Sequence, residues 1–208
     1  MKKYLTEFIG TFFLVLAVGM AVIEPGAGNL APFAVGVTLM VMVYAGSHVS
    51  GAHYNPAVTL AVWLRGRCPQ ADAIPYIGAQ LAGGIAAAIA ALGLKGDVVT
   101  TPAEIKTFPA LLAELIGTFA LAYVVLNVAT AKATAGNSFY GLAIGFTVTA
   151  MAFAFGNVSA AAFNPAIAIA VTITHVAKAS DLWIYLIANF AGGALAAIAF
   201  KFINPADK

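Results

Sequence analysis

With 208 residues, 62% of them hydrophobic and only 9% charged, the chain excludes a soluble globular domain, whose residues are about 25% charged. Its net charge of +2 is too small to point to nucleic acid. A single cysteine, Cys68, rules out an internal disulfide and reads as a small interfacial residue.

The apolar residues fall in blocks. A helix needs roughly 20 residues to cross a hydrocarbon core, and six blocks are long enough: 4–23, 31–49, 74–93, 109–130, 138–156 and 182–203. No room is left for a separate soluble domain. Lys2 and Lys3 precede a first block that continues into a repeat, so no cleavable signal peptide is expected. Basic residues favour the cytoplasmic side. Placing the amino terminus there puts Lys2, Lys3, Arg65, Arg67, Lys132, Lys201 and Lys208 inside, and only Lys95, Lys106 and Lys178 outside. Both termini are therefore predicted to be cytoplasmic. Tyr4, Tyr76, Trp183 and Tyr185 stand near span ends, where amphipathic rings favour the interface.

The chain repeats itself. Glu7-Phe8-Ile9-Gly10-Thr11-Phe12 returns as Glu114-Leu115-Ile116-Gly117-Thr118-Phe119. Ser50-Gly51-Ala52-His53-Tyr54-Asn55-Pro56-Ala57 returns as Ser159-Ala160-Ala161-Ala162-Phe163-Asn164-Pro165-Ala166, and Gln80-Leu81-Ala82-Gly83-Gly84 as Asn189-Phe190-Ala191-Gly192-Gly193. The offset is 107 at the first match and 109 at the others. Each half, about 1–95 and 108–208, holds three spans. An odd number starts the second half on the opposite side, so one membrane domain with inverted repeats is predicted.

Two shorter apolar stretches, 55–64 and 164–174, follow the second span of each half. Each begins Asn-Pro-Ala. Asn is a strong helix cap and Pro suits the first helical position, so each reads as a half-helix entered through a non-helical segment. Such backbone survives at membrane depth only when buried in protein or lining a wet cavity. Inverted topology brings the two amino-terminal ends together near the midplane, each with about half a positive charge. They would repel cations and protons. The Asn55 and Asn164 amides could donate to a passing oxygen, and carbonyls of 50–54 and 159–163 could line the rest of the path.

Both Asn-Pro-Ala motifs, the stretch Ser-Gly-Ala-His-Tyr-Asn-Pro-Ala-Val-Thr at 50–59 and the paired Glu-x-x-Gly-Thr-Phe starts resemble the aquaporin or major intrinsic protein family over essentially the whole chain. The resemblance implies an all-α integral membrane fold of six transmembrane helices and two re-entrant half-helices. It also implies a pore in each subunit, a homotetramer in the lipid bilayer, and passive conduction of water or small neutral solutes without a cofactor. Glu7 and Glu114, with His48 and His53, are expected to support the re-entrant loops. The glycines Gly10, Gly83, Gly84, Gly117, Gly192 and Gly193 are expected to permit close helix packing.

The chain departs from the family at its outer constriction. The arginine that usually follows the second Asn-Pro-Ala is Ile167, and gapless counting puts the other filter positions at Val35, Ala152 and Ala161. All four are apolar, so a wider and less polar filter is expected, without a fixed positive charge. The Asp typical of glycerol facilitators is replaced by Ala168. The reading is therefore a relaxed channel for water, glycerol, urea, metalloid hydroxides or gases, with a water-selective aquaporin as the alternative. A secondary transporter also uses inverted repeats and broken helices, but intramembrane charge is sparse here. No nucleophile–base pair, metal-ligand cluster or phosphate loop is visible, so no enzyme, cofactor or metal site is expected. His48, His53 and His175 lack a partner at ligand spacing. The short termini fit a prokaryotic inner membrane.

Overall fold

In hydrocarbon every backbone N–H and C=O must be paired within the segment, and the long apolar runs do this as helices. The computed structural model describes residues 1–96 and 98–207. In chain order the helices are α1 (Lys2–Val22), α2 (Ala31–Ser50), α3 (Pro56–Arg65), α4 (Gln70–Lys95), α5 (Thr107–Val125), α6 (Tyr140–Ser159), α7 (Pro165–Ile173) and α8 (Leu182–Ile203). A π-helical turn, Leu126–Thr130, prolongs α5. Six helices are long and apolar enough to span, and α3 and α7 are the two short ones. Six crossings return both chain ends to one face, called here the terminal face. Helix α4 starts four residues before its apolar run, because Gln70 and Asp72 continue the helix beyond the hydrophobic stretch.

The packing repeats with the sequence. Helix α1 lies against α4 and α5 against α8, while each half-helix crosses to the other half, α3 against α8 and α7 against α4. Small residues make this possible. A Cβ at Gly193 would sit 2.5 Å from the Ala57 carbonyl oxygen, and one at Gly192 would sit 2.6 Å from that of Leu115. Gly83 faces the Phe8 carbonyl in the same way, and Gly84 faces Ala166. Gly10 and Gly117 differ from the expectation of helix packing. They make room for the Tyr54 and Phe163 rings, which project from the loops onto α1 and α5. Large apolar side chains such as Ile9, Phe13, Ile85, Ile89, Ile116, Leu195 and Ile198 stay exposed on the outside of the bundle, where lipid solvates them.

Candidate functional site

The short helices start where the sequence places them. Asn55 caps α3, its Oδ1 accepting from the Ala57 N–H at 2.8 Å, and Asn164 caps α7, accepting from Ala166 at 2.9 Å. Pro56 and Pro165 follow at the first helical position. Ahead of each cap, backbone φ is positive at Gly51, Ala52 and Tyr54 and again at Ala160, Ala161 and Phe163. Left-handed backbone costs about 1–3 kcal/mol at a non-glycine residue. Something must hold these loops.

That support is a buried carboxylate in each half. Glu7 Oε1 accepts from Ser50 Oγ at 2.6 Å and the His53 N–H at 3.0 Å, and Oε2 accepts from the Tyr54 N–H at 2.7 Å and Gln80 Nε2 at 2.8 Å. Glu114 repeats the set with Ser159 at 2.7 Å, Ala162 at 2.9 Å, Phe163 at 2.7 Å and Asn189 at 2.8 Å. Both carboxylates are fully buried. His53 joins its loop through its backbone, and its Nδ1 lies 3.1 Å from Thr59 Oγ1. His48 corrects the expectation: it is exposed on α2, and among the described residues no hydrogen bond links it to the loop. Two residues of helix turn it about 200° away from Ser50.

Gln80, Asn189, Tyr76 and Tyr185 are site residues that the sequence reading left without a role. The two tyrosines were expected at the membrane interface, yet they are 5% and 1% exposed. Their hydroxyls donate to the Ser50 and Ser159 carbonyls at 2.9 and 2.8 Å. A signal was present: Tyr76 and Tyr185 stand 109 positions apart, the offset of the repeat, whereas interface anchors need no such partner.

The two loops interlock at the centre. Asn55 Nδ2 donates to the Phe163 carbonyl and Asn164 Nδ2 to the Tyr54 carbonyl, both at 2.9 Å. Each amide NH₂ has two hydrogens, so one on each Asn is left for a permeant. Tyr54 and Phe163 carbonyls are thereby engaged, as are those of Ser50 and Ser159. Among the described residues, carbonyls of 51–53 and 160–162 accept no hydrogen bond.

Asn55 and Asn164 line a chamber of about 20 Å³, walled otherwise mostly by apolar side chains such as Leu14, Leu39, Leu121 and Val148. On the face away from the termini opens a much larger cavity of about 600 Å³, whose wall includes Val35, Ala152, Ala161 and Ile167 together. Residues 98–101 and Ala103 form part of its wall. They are strapped down by Thr100 Oγ1 donating to the Thr174 carbonyl at 2.9 Å and the Ala103 N–H to that of Val176 at 3.0 Å. A Lys178–Glu104 ion pair at 2.6 Å adds to this. At the terminal face, Arg65 at the end of α3 pairs with Asp207 at 2.7 Å and lies over the Phe200 ring at 4.5 Å. Asp207 also accepts from the Lys132 N–H at 2.8 Å. No cluster of metal-ligating side chains occurs among the described residues.

Six apolar spans, two opposed half-helices and an Asn-lined chamber beneath an open cavity are the architecture of a multi-pass membrane channel. The sequence comparisons make this specific: residues 1–200 match the family model described as Major intrinsic protein, and the chain belongs to that family. Its members are channels rather than enzymes. The chain is 36% identical to glycerol uptake facilitator protein-like 6 of Lactiplantibacillus plantarum, with both chains fully covered. It is 33% identical to the probable aquaporin NIP4-2 of Arabidopsis thaliana over 100% of this chain and 76% of that one. To the aquaporin AqpM of Methanothermobacter thermautotrophicus it is 32% identical, over 98% and 97% respectively. The fold is similar to the X-ray structure of the aquaglyceroporin from Plasmodium falciparum, with a TM-score of 0.81, 20% identity and coverage of 99% and 97%.

Proposed function

We propose that the chain is a passive channel for water and small uncharged solutes such as glycerol and urea, entered through an arginine-free, apolar mouth of Val35, Ala152, Ala161 and Ile167. The observation that carries this reading is the single cavity of about 600 Å³ with all four side chains on its wall. None of them offers a charge or a hydrogen bond, and the space is large enough for a polyol. Asn55, Pro56, Ala57, Asn164, Pro165 and Ala166 form the pore centre on this reading. There the ends of α3 and α7 meet and oppose cations. The terminal face is cytoplasmic, in keeping with its basic residues. Four copies assemble in the cell membrane, each with its own pore, as the sequence's resemblance to its family implies, and native mass spectrometry of the detergent-solubilised protein tests the number.

Stopped-flow light scattering on proteoliposomes tests the function. Facilitated entry of glycerol or urea beside water is expected, and Ile167→Arg is expected to suppress solute entry more than water. An unchanged solute profile in Ile167→Arg would show the filter assignment to be wrong. A second reading, a water-selective pore, is favoured by the chamber of about 20 Å³ at the Asn pair, since one water needs about 10–15 Å³ by this measure. Fast water flux with no solute entry would establish it.

A further inference from the structure

The four mouth positions do not mark the end of the wide part of the pore. The outer cavity continues past Val35, Ala152 and Ala161 to Val148, Ala162 and Ile167, and these last three also wall the small inner chamber. The change from about 600 Å³ to about 20 Å³ therefore falls at their level. Leu39 joins them from α2 on the chamber side. Leu39 lies four residues, one helical turn, beyond Val35, and Val148 one turn before Ala152, so each is the next side chain on the same helix face.

We propose that permeants are selected at an apolar ring of Leu39 and Val148, one turn inside Val35 and Ala152, closed by Ile167 at the inner edge of the mouth, and that Gly36 and Gly145 fix its width. The inference rests on the chain being a channel, as argued above. Leu39, Val148 and Ile167 all line the chamber of about 20 Å³, so little space remains between them. Leu39 and Val148 stand 109 positions apart, as do Gly36 and Gly145. The ring is thus drawn from equivalent positions of both halves, close to where α2 and α6 cross.

That crossing is tight. A Cβ at Gly145 would lie 2.5 Å from the Gly36 carbonyl oxygen and 2.6 Å from Met40 Cβ, and one at Gly36 would collide with Thr149 Oγ1 and lie 2.6 Å from the Gly145 carbonyl oxygen. The two backbones touch. Leu39 and Val148 are carried on this rigid contact, and widening the ring means separating the helices. The ring's side chains offer no donor or acceptor, so on their side of the path a permeant surrenders hydrogen bonds until it reaches the Asn amides in the same chamber. Water, the smallest permeant with the fewest bonds to surrender, is favoured; polyols reach the mouth and are slowed one turn further in.

The test is the ratio of glycerol to water permeability in proteoliposomes. Val148→Ala and Leu39→Ala, which remove two and three carbons, are expected to raise it about tenfold or more, in line with at least tenfold discrimination per methylene in an apolar pocket. Val148→Ile is expected to lower it, and to do so more than Ala152→Val, although the latter adds more bulk. Val148→Thr keeps the shape and supplies a hydroxyl. It is expected to raise the ratio without enlarging the pore, and it decides the matter if an alanine variant does not fold. A wild-type ratio in the Val148 variants together with a changed one in Ala152→Val would overturn the ring and leave the channel reading standing. A wild-type protein that speeds neither water, glycerol nor urea would overturn both.

Discussion

Replacing Glu7 separates a structural carboxylate from one that titrates during transport. Four donors converge on it, two on each oxygen, and the side chain is fully buried. In Glu7→Ala all four lose their acceptor. A buried donor left unpaired costs about 1–3 kcal/mol, so the loss is on the order of 5 kcal/mol or more, comparable with the whole stability of many domains, about 5–15 kcal/mol. Glu7→Gln is milder, and its cost follows from the geometry. If the new NH₂ faces Ser50 and His53, the Ser50 hydroxyl can turn to accept, and only the His53 N–H is stranded. If it faces Tyr54 and Gln80, the Gln80 amide can turn. Its Oε1 has no partner among the described residues and would then accept from the new NH₂, but Nε2 would give up Thr59 Oγ1 while the Tyr54 N–H is stranded, so the first orientation is the milder one. In that milder orientation one backbone donor is lost, about 1–3 kcal/mol.

The assay is paired: thermal unfolding of the detergent-solubilised protein and solute flux in proteoliposomes across pH. Glu7→Gln is expected to lower the unfolding temperature modestly and to retain flux, with Glu7→Ala far less stable. Glu114→Gln should behave like Glu7→Gln, because its four donors match. Abolished flux in Glu7→Gln with an unchanged unfolding temperature would refute the structural account and point to a carboxylate that carries protons.

Gly10→Ala and Gly117→Ala place a methyl against the Tyr54 and Phe163 rings. Each is expected to cost about 1–3 kcal/mol and to reduce flux, because the displaced residues carry the carbonyls that hold Asn164 and Asn55; unfolding temperature and flux check this together. Asn164→Asp keeps the helix cap and adds a negative charge where two positive helix ends meet, so it is expected to give cation currents in planar bilayers where the wild type gives none. Sizeable proton currents in the wild type would refute exclusion by the pore centre. The Lys132 N–H foremost, and Arg65 beside it, hold the Asp207 carboxyl below its ordinary range, outweighing the opposite effect of partial desolvation. A depressed pKa means that the tail's attachment is fully present above the ordinary value, about 3.9, and is lost as pH falls below it. The anisotropy of a fluorophore at Ala206→Cys should drop on acidification through that range, and Asp207→Asn should show the low value already at neutral pH.

The six spans and both half-helices were legible because each rests on local signals: apolar length for the spans, Asn-Pro for the caps. The carboxylates were legible because charge in an apolar run is rare and both copies matched. Their partners were not. Gln80, Asn189, Tyr76 and Tyr185 look like ordinary span residues until folding brings α4 and α8 to the loops, although the repeat offset links each pair. His48 misled for the converse reason: nearness in sequence to the loop says nothing of the helix face it occupies. Arg65 and Asp207 are 142 residues apart, and nothing local announces their contact. The width of the mouth was read from four apolar positions. The ring proposed one turn deeper was not, because it is inferred from the backbone contact of Gly36 with Gly145, which only the packed helices reveal.

The pore centre and the mouth are under different physical constraints. At the centre each half completes the other: Asn55 closes on the loop ending in Phe163, and Asn164 on the loop ending in Tyr54. Five non-glycine residues there hold left-handed backbone, and two buried carboxylates keep them so. A change at either Asn disturbs both loops at once, and the motif tolerates little. The side chains of Val35, Ala152, Ala161 and Ile167 make no hydrogen bond to this frame. Exchanging Val35, Ala152 or Ile167 alters the size and polarity of the entrance without removing a hydrogen bond that holds the loops, whereas Ala161 is itself one of the left-handed loop residues. If Ile167 takes the filter position of the family's arginine, that arginine can be lost while the opposed helix ends at the centre are kept. On this reading charge is refused at the centre, where the loops' hydrogen bonds enforce it, and solute size is set along the apolar wall between the mouth and the ring one turn deeper, where side chains can change without removing those bonds.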